Sequence, residues 1–144
     1  MEMHDLILEQ EDATLIDQCL SRYVEDTGVR IALLMGRDGH LLAKQGDTRE
    51  LEIDGLCALA VGAFASSEAL ARLSGEESFN SIYHQGVRIN VFVSLAGDSH
   101  LLLTVFDYNA SAPLVRLQAK VTAEAIINVL ERAYTRTRAS RLGA

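Results

Sequence analysis

LCALAVGAFASSEALARL, residues 56–73, has the pattern of a helix, yet no charge occurs between Asp54 and Glu68. A helix on the surface of a small globular protein ordinarily carries a polar face. At about 100° per residue, Leu56, Leu59, Leu70 and Leu73 gather on one flank, and Cys57, Val61 and Phe64 on another. Between the flanks, Ala58, Gly62, Ala65 and Ala69 form a track of small residues. One apolar flank is enough to cover a sheet, so the second flank and the track call for a second surface. Gly62 sharpens that expectation. Glycine costs about 1 kcal/mol relative to alanine inside a helix, and close approach of another backbone is the usual compensation. The alternative is a single domain that buries every side of the helix. We expect instead that one flank lies on the chain's own sheet while another meets the same helix of a second copy in a two-fold dimer.

On either side of this helix the pattern changes to strands. VRIALLM (29–35) and HLLAKQ (40–45) flank Gly36-Arg37-Asp38-Gly39, a hairpin signal with Asp-Gly at its centre. Downstream, SFNSIYHQ (78–85), VRINVFVSL (87–95) and HLLLTVF (100–106) give three more strands. In the second of these, Val87, Ile89, Val91, Val93 and Leu95 alternate with Arg88, Asn90 and Ser94. A helix over residues 12–26 gathers Ile16, Cys19, Leu20 and Tyr23 on one side and stops at Gly28. The last helix runs from Pro113 to about residue 134. Its apolar stripe drifts: Leu114, Leu117 and Val121 share one side, and Ile126, Leu130 and Tyr134 lie well round from it, which implies a kink or a change of neighbour.

The order is therefore α-ββ-α-βββ-α, and short connections favour antiparallel pairing. We expect an α+β domain, a five-stranded antiparallel sheet with helices packed on it, over residues 12–134. A lead (1–11) precedes it and a basic tail (135–144) follows. The segment 78–85 fits an edge strand that pairs with its twin and removes an exposed edge. Phe79 and Ile82 then join Cys57, Val61 and Phe64 in the expected dimer interface.

The totals set the class. The chain has 144 residues, 49% of them hydrophobic, which suits one domain with its own core. A net charge of -7 and a pI near 5.0 argue against nucleic acid or an anionic membrane as partner. MEMHDLILEQED lacks the basic start of a secretion signal, and no run approaches the ~18–20 apolar residues of a membrane span. A cytoplasmic protein is expected, with no membrane insertion and with Cys19 and Cys57 as reduced core residues. Catalytic motifs are missing: there is no phosphate-cradling glycine loop, and no GxSxG surrounds Ser66-Ser67. His40, His84 and His100 stand at no metal-ligand spacing and fit solvated or hydrogen-bonded strand positions. Asp38, Asp98 and Asp107 fall at turns, where backbone geometry favours aspartate. Arg132, Arg136, Arg138 and Arg141 fit a solvated helix end. The sequence offers no catalytic residue, no metal site and no cofactor site of its own.

TGVRIALLMGRDGHLLAKQG, then LCALAVGAFASSEALARLSGEESF, then HQG, and finally LLLTVFD with APLVRL resemble, in order and spacing, the Roadblock / dynein-light-chain family. Within it the bacterial MglB-like branch looks most similar, although this chain has Gly62-Ala63 where the branch often has Gly-Asn. The resemblance implies a homodimer with its central helices side by side over a continuous sheet. It further implies a small Ras-like GTPase of the MglA type as partner, docked over the track of Ala58, Gly62, Ala65 and Ala69. Faster GTP hydrolysis in a cell-polarity switch would follow. Arg37 and Arg49 are the positional candidates for an inserted arginine, but the resemblance implies docking that reorders the GTPase's switch regions instead. A non-catalytic scaffold dimer in a larger complex is the first alternative. A small-molecule sensor is the second, against which the lack of tryptophan and 6% aromatic content count.

Overall fold

The computed structural model describes residues 6–142. Its elements follow the expected order: α1 (Gln10–Thr27), β1 (Ile31–Gly36), β2 (Leu41–Gly46), α2 (Ile53–Ser74), β3 (Ser81–Gln85), β4 (Ile89–Ala96), β5 (His100–Asp107) and α3 (Ala112–Arg141). The five strands form one antiparallel sheet in the order β2-β1-β5-β4-β3, so β2 and β3 are its edges.

Both faces of this sheet are covered, which explains why β1 is apolar throughout rather than alternating. Successive side chains point to opposite faces. Ile31, Leu33 and Met35 therefore join Leu101, Leu103 and Val105 in a core under α2. Ala32 and Leu34 join Leu102, Phe106 and the apolar sides of α1 and α3 in a second core on the other face. The second core holds one buried polar pair, Tyr23 Oη and Thr104 Oγ1 at 2.8 Å. Burial pushes the Tyr23 hydroxyl up to about 12, and the Thr104 contact opposes only part of that. Cys57 belongs to the first core and Cys19 packs against the second; both are free thiols.

Caps and ion pairs set the helix ends. Glu9 and Asp12 close a reciprocal capping box at the start of α1, and Gly28 ends it at φ 73°. Ser111 caps α3, with proline in the first turn. Arg136, far along α3, pairs with Glu9 at 3.0 Å and makes a close ion pair with Asp12, while Ile7 N–H donates to Thr137 Oγ1 at 3.2 Å. The segment entering α1 and the last turns of α3 are thereby fastened together.

Four expectations need correction. The first half of the α3 stripe does not mark a buried side: Leu114, Leu117 and Val121 are exposed, and the helix buries Val115 and Ala119 there, with Ile126 and Leu130 further on. That helix also continues to Arg141 rather than ending near residue 134. The alternation in β4 begins at Ile89, because Val87 sits in the turn, 95% exposed. In that turn a Cβ on Gly86 would fall 2.4 Å from the Ile89 carbonyl oxygen, so the site requires glycine. Finally, α2 is long and apolar enough by length and composition to cross a membrane, with a mean hydropathy of 1.4. In this fold one of its sides is committed to the sheet.

Candidate docking surface

α2 lies on its sheet through Cys57, Ala60, Phe64 and Ala71, which are buried. Cys57 and Phe64 retain 1% and 2% of their surface. They were expected at a dimer interface, and the structure corrects this: a side chain so completely covered within its own protomer has no surface left for a second copy. Val61 is half-buried beside the β1–β2 turn, where a Cβ on Gly39 would stand 3.9 Å from its Cγ2. Ile82 is half-buried against the core under α2, at the open edge of β3. Phe79 is half-buried too, but it precedes β3 rather than lying within it.

The opposite side of α2 faces outward. Ala58, Gly62 and Ala65 are exposed, with Ala69 half-buried at the margin. Leu59, Leu70 and Leu73 stand beside them, 77%, 59% and 88% exposed. The structure thus brings the small track and the leucine flank onto one open apolar strip. Among the described residues, nothing outside its own stretch of helix lies within 4 Å of a Cβ built on Gly62. The backbone approach that would account for this glycine is not supplied by the described residues. Between α2 and edge strand β3 the strip continues into a groove of about 430 Å³, lined by Leu59, Ala63, Ser66, His84, Val91 and Leu103.

Charged residues border the strip on its other side. Arg37, in the β1–β2 turn, reaches Glu68 of α2 at 3.2 Å and lies over the Phe64 ring, 5.7 Å from its centroid. A half-exposed ion pair contributes at most about 1 kcal/mol, but together with the ring contact it fixes where this guanidinium points. Arg49 is exposed and bound to Asp47 at 2.9 Å. That contact and the Arg49 backbone N–H hold the Asp47 carboxyl down to about 2. Arg37 is thus held against its own surface, whereas Arg49 is 87% exposed and paired only with a carboxylate two residues away.

Among the described residues no group of histidine, cysteine and carboxylate side chains is placed to hold a metal. Burial pushes the Cys57 and Cys19 thiols up, away from the reactive thiolate form. His100 departs from the expectation of a solvated or hydrogen-bonded histidine. It is 1% exposed, and its Nε2 has no partner among the described residues. Burial lowers its pKa despite the opposing charge of Asp38. No sequence signal marked it, because His40, at the same hairpin end, is exposed.

The architecture is a five-stranded antiparallel sheet with helices on both faces and one helix side left as an exposed apolar surface. The Roadblock/LC7 domain model matches residues 15–106, and the chain belongs to that family. Among solved structures it is similar to the gliding protein MglB from Thermus thermophilus, with 34% identity, coverage of 89% of this chain and 97% of that one, and a TM-score of 0.84. It is similar to Myxococcus xanthus MglB at 26% identity, with coverage of 89% and 96% and a TM-score of 0.82. A further MglB structure, described as having a tetrameric arrangement, shares 34% identity with coverage of 89% and 96% and a TM-score of 0.84. A comparison with curated proteins found no match.

Proposed function

We propose that this protein is an MglB-like regulator: a cytoplasmic homodimer that docks on a small Ras-like GTPase of the MglA type and accelerates GTP hydrolysis in a polarity or motility switch. The observation that carries this reading is the open apolar strip of α2, where Gly62 and its alanines offer close approach without side-chain bulk. The likeness to MglB at 34% identity over nearly the whole of both chains supports it. In the dimer, the leucine side of α2, its groove and the β3 edge with Ile82 meet the second copy, and the track of Ala58, Gly62, Ala65 and Ala69 meets the GTPase. Phe79 and Val61 flank these contacts.

Stimulation by an inserted arginine needs a guanidinium free to leave its own surface. Arg37 is held by Glu68 and Phe64, which counts against it; Arg49, in an exposed pair with Asp47, is the freer of the two, and its variant is the sharper test. Docking that reorders the GTPase's own residues fits this arrangement better. Single-turnover GTP hydrolysis by a Ras-like GTPase encoded beside this protein tests the reading. Ala65→Arg is expected to abolish binding and stimulation with the fold intact, because Ala65 touches no core. Arg37→Ala and Arg49→Ala are expected to retain most stimulation. Binding without any change in hydrolysis would favour a non-catalytic scaffold. Loss of stimulation in one arginine variant with binding preserved would identify an inserted arginine instead.

A further inference from the structure

On the face of the sheet opposite the docking strip, a cleft of about 480 Å³ lies between β3–β4 and α3. Its charged residues are sorted by sign along its length. At one end the Arg116 guanidinium lies over the rings of Tyr83 and Phe92, 5.1 Å and 5.4 Å from their centroids, which holds it at that end. Lys120 follows one turn along α3 on the same lining. At the other end stand Glu124 and Asp98; there Gly97 abuts Ile127, with a Cβ on the glycine falling 3.5 Å from Ile127 Cγ1. Neither cation has a hydrogen bond or ion pair among the described residues, and neither acid does, although Lys120 and Glu124 are four residues apart on one helix. In the wall between them the Ser94 Oγ is buried and has no hydrogen-bond partner among the described residues. A buried hydroxyl without a partner is uncommon in folded proteins.

We propose that this cleft binds a small zwitterion of the class of a free tripeptide, with its carboxylate on Arg116 and Lys120, and on the Ser94 hydroxyl once that side chain turns about its Cα–Cβ bond into the cleft, and with its ammonium toward Glu124 and Asp98. The spacing suits that class. At ~1.5 Å rise per residue, Lys120 and Arg116 stand roughly 6 and 12 Å from Glu124 along the helix. An extended tripeptide spans about 10 Å. A compound with several negative charges would meet the two acids, and a wholly apolar one would strand the serine hydroxyl and the planar guanidinium.

Trialanine with free termini is the probe, titrated against the backbone amide resonances of the whole protein, beside its C-amidated and N-acetylated forms. Free trialanine is expected to shift residues 80–81, 94–98 and 116–124, and each capped form to bind at least about tenfold more weakly, since each loses one charge-assisted contact. Arg116→Gln should weaken the free peptide as amidation does and leave the amidated form unchanged. Glu124→Gln should do the same for acetylation. Both side chains are exposed, so the fold is not at risk. The proposal is overturned if millimolar free trialanine moves no resonance in the cleft, if all three forms bind alike, or if Arg116→Gln has no effect.

Discussion

Gly62 poses the sharpest question a single position can ask of this fold. Its backbone is helical, and the space where a methyl group would go is empty. Considered alone, the protomer gains about 1 kcal/mol from Gly62→Ala through helix propensity. On the proposed reading, that cost is offset by a contact with another molecule. We therefore expect Gly62→Ala to raise the denaturation midpoint while weakening GTPase binding; chemical denaturation beside a binding titration checks both signs. If stability rises and binding is unchanged, the track is not the docking site. The contrast with Gly86 is instructive, because there the chain's own Ile89 carbonyl forbids a side chain. The two glycines look alike in a sequence, and only the space around them tells one the chain itself requires from one it does not. Cys57 and Phe64 show a related limit. Helical spacing placed them together correctly, but spacing alone does not say which flank the sheet takes. Phe64 is decided by the Leu33 and Leu103 layer beneath α2, which no local pattern reveals.

Helices and strands were legible where each one's neighbours lie close in sequence. The Gly36–Gly39 hairpin and the α1 stripe ending at Gly28 rest on local chemistry and appear as expected, within about two residues. The α3 stripe misled, since the helix buries alanines and threonines, Ala119, Thr122 and Ala123, against α1 and the sheet and leaves Leu114, Leu117 and Val121 outside. Small residues at a close helix contact carry little hydrophobic signal, so the larger exposed ones dominated the pattern. At the start of β5 the same layer conceals His100, near Tyr134 of α3, ring centroids 6.5 Å apart, with the Tyr134 hydroxyl likewise unpartnered among the described residues. Asp38 and His40 of the hairpin line the space beside it, under Leu6 and Leu8. Burial lowers the His100 pKa below its ordinary 6.5, so the folded state favours the neutral ring. Its contribution to stability is complete above 6.5 and is lost as the pH falls through the depressed value. His100→Phe should therefore flatten the decline in thermal midpoint from neutral pH toward pH 5. An unchanged slope would place the titration elsewhere.

At the scale of the whole molecule, the outward leucines allow folding to be tested apart from the proposed association. Leu59 is 77% exposed in the protomer, so Leu59→Arg should change its intrinsic stability by no more than about 0.5 kcal/mol. If the groove beside β3 is where two copies meet, the same substitution should convert a dimer to a monomer in sedimentation equilibrium while the circular dichroism spectrum stays the same. A dimer that survives Leu59→Arg would move the two-fold contact away from this face. Tertiary arrangement of this kind, which helix lies on which face and which edge stays open, depends on contacts far apart in sequence; the order α-ββ-α-βββ-α supplied the elements but left their layers open. The resulting division has a further effect. With α2 on one side and α1 and α3 on the other, the sheet acts as a bulkhead, and the side chains of each strand belong to one compartment or the other. Substitutions on the outer side of α2 therefore need no compensating change beyond the bulkhead, and whatever that side meets can change while the core under α1 and α3 stays as it is.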